Sequence, residues 1–125
     1  SQRYVKEDEF DFIVPPSIAA NEEALAEFRA CMNSCRESYR KLRAMSVLKE
    51  DARFVLPNAL ESEIVFTANF RELRHMLEIR LEPHAQWEIR RVCLAMLDIL
   101  QKEAPSVFGD FEILDREKWI AAIRR

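Results

Sequence analysis

The stretch Asn21–Leu42, NEEALAEFRACMNSCRESYRKL, decides the fold class, because its apolar side chains recur at spacings of 3, 4, 3, 4 and 3 residues. These side chains are Leu25, Phe28, Met32, Cys35, Tyr39 and Leu42. Such a period places them along one face of a continuous helix. Asn21 is a favourable N-cap, and Glu22 and Glu23 follow it where the helix dipole favours negative charge. The sequence therefore predicts a long helix with one apolar side.

Four further helices are predicted from periodicity and from their end signals. They are expected at about Lys49–Leu56, from Asn69 through Leu81, from Pro83 to about Glu103 and over Asp115–Arg125. A proline ends the first and another opens the third, whereas an asparagine and an aspartate cap the second and the last. The buried side of the third is expected to carry Ala85, Val92, Cys93, Met96, Leu97 and Leu100.

Two segments have the composition of β-strands. Apolar residues alternate over Phe10–Val14 before two prolines, which predicts a short strand there. Ile64–Thr67 is β-branched and aromatic, which predicts a strand over about Glu61–Ala68. We therefore predict one helix-rich α+β domain over residues 1–125, with long helices and one or two short strands that need partners.

Composition excludes several classes of protein. The 125 residues contain 19 basic and 22 acidic side chains, and the resulting net charge of -3 argues against a nucleic-acid binder. The single glycine, Gly109, excludes the glycine-rich phosphate loops, so a nucleotide would be held by side chains or helix ends. The longest apolar run, Cys93–Leu97, is far shorter than a membrane span of about 20 residues.

The cysteines favour a reducing compartment. Cys31, Cys35 and Cys93 are odd in number and lack CxxC spacing, which is typical of reduced thiols in a cytoplasmic protein. No basic and apolar leader precedes the first element, so we expect no secretion. Because Cys31 and Cys35 lie in or beside the long apolar stripe, they are expected to fill the core rather than to react.

Two arginines stand among apolar residues. Arg80 follows Leu73 by seven residues and Leu77 by three, so it continues their apolar stripe. A buried guanidinium there would need a carboxylate, a phosphate or a polar ring edge as its partner. From position alone, fraying of the helix end, snorkelling or pairing with Glu82 is the favoured explanation. Arg53, inside Ala52–Pro57, is a second candidate, whose structural alternative is an interior salt bridge.

A cationic face is expected on the helix that Asn69 caps. Arg71 and His75 are four residues apart, with Arg74 beside them, and together they could hold a phosphate or an electron-rich ring. A solvated face balanced by Glu72 and Glu78 is the ordinary alternative.

A metal site is not expected. His84 and Glu88 are four residues apart, which is a possible ligand spacing, but the sequence offers no third ligand at a sensible distance. We expect instead that His84 takes part in the start of a helix and that Glu88 anchors a hydrogen-bond network.

Three segments together resemble the flavin-dependent thymidylate synthases. They are Ala52–Pro57 (ARFVLP), Phe66–Arg80 (FTANFRELRHMLEIR) and His84–Arg90 (HAQWEIR). In addition, Ser1–Tyr4 resembles the tail of a family signature that begins with Arg-His-Arg. The chain resembles only the C-terminal part of the family's proteins. The Arg-His-Arg triplet and the glutamate that follows it would therefore lie upstream of Ser1.

The resemblance implies an enzyme that methylates dUMP to dTMP. In this family methylenetetrahydrofolate gives the carbon, NADPH gives hydride through FAD, and a homotetramer builds each site from several subunits. Asn69, Arg71 and His75 fall where the family contacts FAD.

The resemblance also implies the substrate site. Ser1, Gln2 and Arg3 fall in the loop that holds the substrate phosphate. Arg53 falls at a nucleotide-binding arginine. Arg80 falls at the arginine that touches the uracil ring, where it would stabilise negative charge as hydride arrives.

A second hypothesis belongs to another class. The chain would be a non-catalytic helical module that self-associates or binds a nucleotide without turning it over. The apolar stripe of the long helix could serve a helix–helix interface as well as a core.

Overall fold

The computed structural model describes residues 11–125, in two compact units that meet in the sequence between Val65 and Phe66. The predicted substrate loop, Ser1, Gln2 and Arg3, lies outside the described residues. Within residues 11–125, none of the helices combines the length and the apolar character needed to cross a membrane.

The described part of the first unit is helical. It contains α1 (Pro16–Ala19), α2 (Glu22–Ala44) and α3 (Lys49–Ala52), and α3 continues into a 3-10 turn over Arg53–Val55. The long predicted helix is confirmed, including its cap, because the Asn21 side chain accepts a hydrogen bond from the third helical N–H at 3.1 Å. The predicted short helix is likewise confirmed as α3 with its 3-10 extension.

The apolar stripe of α2 faces the start of the described chain. Met32 and Tyr39 are buried on it, the latter with 1% of its surface exposed. The ring of Phe28 packs edge-on against Phe12, with the centroids 5.9 Å apart. The Arg36 guanidinium lies over the Phe12 ring, 5.2 Å from its centroid. Aromatic and cation–π contacts therefore fasten the segment before α1 to α2.

The two cysteines of α2 differ in exposure. Cys35 is half-buried and Cys31 is exposed, so the expectation that both fill the core is wrong for Cys31.

Of the predicted strand Phe10–Val14, Phe10 lies outside the described residues, and Phe12 forms one antiparallel bridge, with Leu60. Beyond it, the predicted strand Glu61–Ala68 is wrong: these residues form neither strand nor helix, and Val65 is 99% exposed. The physical reason is that β-branched residues favour a strand only where another strand pairs with them. Among residues 11–125, no strand pairs with this segment.

The elements of the second unit pack around one hydrophobic core. They are α4 (Phe70–Arg80), α5 (Trp87–Glu103), α6 (Pro105–Phe108) and the antiparallel strands β1 (Phe111–Asp115) and β2 (Ile120–Ile123). The buried side chains come from all five elements and from the residue after α4. They are Leu77, Leu81, Cys93, Leu94, Leu97, Phe108, Phe111 and Ala121.

The third predicted helix is confirmed as α5, but its start is corrected. α5 begins at Trp87 rather than at Pro83, because Gln86 is the N-cap and its side chain accepts the Glu88 N–H at 2.8 Å. One predicted core residue is also wrong, since Val92 is 50% exposed. Successive helix residues are about 100° apart, so Val92 points away while its neighbour, the buried Cys93, faces the core.

The predicted final helix over Asp115–Arg125 is wrong, because these residues form the end of β1, a turn and β2. The Asp115 carboxylate accepts the Lys118 N–H at 3.0 Å, and Trp119 adopts a left-handed φ of 56° that reverses the chain. A side-chain oxygen that can cap a helix can equally close a turn. The α+β fold class is confirmed, with a hairpin at a place where a helix was expected.

Candidate functional site

The candidate cationic residues lie on α4, whose N-terminus is capped as predicted. The Asn69 side-chain oxygen accepts the Glu72 N–H at 2.9 Å. This bond leaves the Asn69 amide NH₂ group as a donor at the start of the helix. Leu77 is buried and Leu73 is half-buried on the core side of α4. The remaining faces of the helix are therefore open for polar side chains.

Arg74 does not belong to the cationic face and corrects that prediction. Two of its nitrogens donate to the two carboxylate oxygens of Asp110, each at 2.7 Å, and one of them also donates to the Val107 carbonyl oxygen. Its guanidinium lies 5.1 Å from the centroid of the Phe111 ring. Arg74 therefore ties α4 to α6, to the start of β1 and to Asp110 between them.

The ion pair of Arg74 with Asp110 shifts the pKa of both side chains. The hydrogen bond from Arg74 holds the pKa of Asp110 below its usual value, and the bond to Asp110 raises the pKa of Arg74. Sequence reasoning missed the pair because 36 residues separate its members, and no local period or cap signal connects them. A two-pronged arginine–carboxylate pair is nevertheless among the stronger surface contacts.

Arg71 and His75 are exposed, one helical turn apart on α4. Neither side chain makes a hydrogen bond or an ion pair with the other residues in the range 11–125. Glu72 and Glu78 therefore form no ion pair with Arg71 or His75. A guanidinium fork and an imidazole N–H are suited to phosphate oxygens or to the polar edge of a ring.

Arg80 is exposed at the last position of α4, as the alternatives of a helix end or a snorkelling side chain predicted, and its guanidinium is not buried. Its place at the edge of the apolar stripe, where the helix ends, lets the side chain reach solvent. The positive charge still acts on the core: burial raises the pKa of the Cys93 thiol, and Arg80 offsets part of that rise. The alternative of an ion pair with Glu82 is absent from the described part of the chain.

The structure brings together some of the predicted site residues and not others. Asn69, Arg71 and His75 lie within two turns at the start of α4, and Arg80 ends the same helix about 14 Å beyond Arg71 along its axis. Arg53 lies in the first unit, half-buried in the 3-10 turn after α3.

The spacing of His84 and Glu88 does not bring them into a cluster of possible metal ligands among the described residues. His84 and Glu88 are both exposed, His84 in the turn before α5 and Glu88 in its first helical turn. Over residues 11–125, no three His, Cys, Asp or Glu side chains gather where they could hold a metal ion.

Comparison with known proteins supplies the family. A model of the family described as thymidylate synthase complementing protein matches residues 1–106. A protein of Geobacter sulfurreducens named flavin-dependent thymidylate synthase is 45% identical over 112 residues, covering 88% of this chain and 48% of the relative. Proteins of the same name from Nitratidesulfovibrio vulgaris and Mycolicibacterium gilvum are 43% and 40% identical, covering 87% and 90% of this chain and 48% and 51% of theirs.

These matches cover most of this chain but only part of each relative. The chain spans about half the length of the curated relatives it matches. The family match over residues 1–106 includes the whole of α4 and α5 and also every candidate site residue. The chain belongs to the thymidylate synthase complementing protein family.

Proposed function

We propose that this chain is the C-terminal portion of a flavin-dependent thymidylate synthase. The complete enzyme would convert dUMP to dTMP, with methylenetetrahydrofolate as carbon donor and NADPH as reductant through FAD. The similarity to relatives of that name supports the reaction. The observation that carries the proposal in the structure is the exposed pair Arg71 and His75, which has no partner among the other described residues.

The residues at the start of α4 fit a flavin nucleotide. Asn69 offers amide donors, and Arg71 and His75 offer a cationic fork and a ring donor within one turn. Together with the positive end of the helix dipole, these groups favour the negative charge of a pyrophosphate. When bound, FAD supplies the transfer of hydride between NADPH and the pyrimidine. The protein's own residues hold and orient it.

The substrate is held by arginines. We assign Arg80 to the uracil ring, where a fixed positive charge would stabilise the negative charge that develops on the pyrimidine as it is reduced. Arg53, with Ser1, Gln2 and Arg3, would bind the nucleotide and its phosphate. In this assignment Arg80 acts by position and charge and moves no proton.

The rest of the site would come from the remainder of the enzyme and from other subunits. We propose one domain that assembles as a homotetramer in the cytoplasm, with each site shared between subunits. Neither nucleic acid nor membrane has a role in this scheme.

Flavin binding tests the proposal. In the polypeptide encoded by the whole reading frame that contains this chain, Arg71→Ala and His75→Ala should each raise the Kd for FAD about tenfold, or about 1.4 kcal/mol. Each replacement removes one phosphate or ring contact. Titration of FAD by quenching of its fluorescence measures the change.

Arg91→Ala is the matched control, because Arg91 is exposed on α5 and its side chain makes no hydrogen bond or ion pair with the other described residues. It should bind FAD as the parent protein does. If Arg71→Ala and His75→Ala both retain the parent Kd, the assignment of this face to the flavin is wrong.

A further inference from the structure

The hairpin of β1 and β2 has no part in the proposed site. It occupies residues 111–123, which lie outside the range that the family model matches. The turn of the hairpin contains Trp119, whose φ of 56° is left-handed. A residue with a large side chain rarely adopts this backbone conformation, which persists only where surrounding contacts hold it. The contacts of Trp119 therefore indicate what the hairpin holds.

The ring of Trp119 packs on the beginning of α5. Its centroid lies 6.3 Å from that of Trp87, the first residue of α5, and the two ring planes are tilted by 46°. Trp119 also packs, partly buried, against the hydrophobic core of the second unit. A glycine would adopt the same φ without strain but would lack both contacts. The ring of Trp119 therefore fastens the hairpin to α5 and to the core.

The strand that follows this ring reaches the end of α4. The N–H of Ala121, two residues after Trp119, donates to the carbonyl oxygen of Leu81 at 3.2 Å. Leu81 is buried and is the C-cap of α4. The carbonyl groups at the end of a helix have no partner within it, so β2 supplies a partner at the residue that directly follows Arg80.

The turn after Leu81 is also held by α5. The Arg90 guanidinium donates to the Pro83 carbonyl oxygen at 2.7 Å. The backbone next to Arg80 is thus held by α5 and β2, although the Arg80 side chain itself is exposed. Such support matters for catalysis, because a displacement of about 1 Å in a reacting group can cost about 100-fold in rate.

From these contacts we propose that Trp119 is a positioning residue for Arg80. The inference rests on the role given to Arg80 in the proposed function. Trp119 touches neither substrate nor flavin in this scheme. Its ring fixes β2 against α5, β2 holds Leu81, and Leu81 fixes the backbone from which the Arg80 guanidinium extends.

Amide hydrogen exchange tests the positioning without a need for activity. In the polypeptide encoded by the complete reading frame, Trp119→Gly removes the ring but favours the left-handed φ, so the turn can still form. The N–H of Ala121 and the amides of the last turn of α4 should exchange about tenfold faster than in the parent protein. Those of the first turn of α4 should keep parental rates. Trp119→Phe, which retains an aromatic ring, should restore slow exchange.

Steady-state kinetics separates positioning from a general loss of structure. Trp119→Gly should lower kcat for dTMP formation about tenfold, with KM for dUMP and the content of bound FAD unchanged, and Trp119→Phe should recover most of the loss. In an Arg80→Ala background, Trp119→Gly should cause no further loss, because its effect acts through Arg80. Glu117→Ala is the matched control, since Glu117 is exposed in the same turn and its side chain makes no ion pair with the other described residues.

Parental exchange at the end of α4 in Trp119→Gly would overturn the proposal, as would a further tenfold loss in the Arg80→Ala background. A parent protein that forms no dTMP would instead contradict the proposed function and remove the role of Arg80. The exchange rates would still decide whether the hairpin holds the end of α4, so the two failures can be told apart.

Discussion

Replacing Arg80 with alanine is expected to lower the turnover of the complete enzyme about 100- to 1,000-fold, which is the usual effect of removing one positioned charge from a developing anion. Arg80 ends α4, is exposed and forms no ion pair within the described residues. Its charge is thus available to a ligand. Initial rates of dTMP formation from dUMP at saturating substrates measure the change.

The pattern of the loss identifies the role of Arg80. If the guanidinium acts mainly as the pyrimidine is reduced, kcat should fall much more than KM for dUMP changes. The content of bound FAD should stay that of the parent enzyme, and Arg91→Ala should leave turnover unchanged. Parental turnover in Arg80→Ala would refute the role, and a rise in KM alone would reassign Arg80 to simple substrate binding.

Replacing Arg74 with alanine is expected to destabilise the second unit by about 2 kcal/mol. The change removes a two-pronged ion pair worth about 0.5–1 kcal/mol after solvent screening, since the side chains of Arg74 and Asp110 are 29% and 43% exposed. It also removes the hydrogen bond to the Val107 carbonyl and the stacking on Phe111, each worth about 0.5–1 kcal/mol.

Tryptophan fluorescence isolates this unit, because Trp87 and Trp119 are the two tryptophans of the chain and both lie in it. Urea unfolding followed by their emission gives the free energy of unfolding. Arg71→Ala is the matched control on the same helix, because the Arg71 side chain is exposed and makes no ion pair with the other described residues, and it should change stability by less than about 0.5 kcal/mol. Equal stability of the Arg74→Ala and Arg71→Ala proteins would contradict the role given to Arg74.

The same pair predicts a pH dependence. Asp110 has a pKa lowered in the folded state by Arg74, so its contribution to stability is complete above the unfolded value of about 3.9 and is lost as pH falls through the folded value. The stability difference between the parent chain and Asp110→Asn should therefore shrink below about pH 4. Asp98, whose pKa Arg116 lowers, titrates in both proteins and cancels in the difference.

The helices could be predicted from the sequence because their signals are local. The stripe of α2 and the caps of α2 and α4 depend on residues within one turn of each other. The hairpin of β1 and β2 could not be predicted in this way, because Asp115 gives the same signal for a helix cap and for a turn. Pairing across the hairpin and burial of Ala121 decided between them.

The site shows the same division. The exposed pair Arg71 and His75 could be predicted, because a spacing of four places two side chains on one helix face wherever the helix packs. The pairing of Arg74 with Asp110 could not be predicted, because the two residues are distant in sequence. Periodicity left burial and exposure of Arg80 open, because it does not report where a helix face ends and solvent begins; the structure has it exposed.

Formation of dTMP by the polypeptide encoded by the complete reading frame around this chain tests the proposed function most directly. The purified protein would receive dUMP, methylenetetrahydrofolate, NADPH and FAD, and the product would be quantified by chromatography. We expect dTMP to form, and to disappear when NADPH is omitted. A folded, oligomeric protein that produces no dTMP under these conditions would contradict the proposal and favour a non-catalytic helical module.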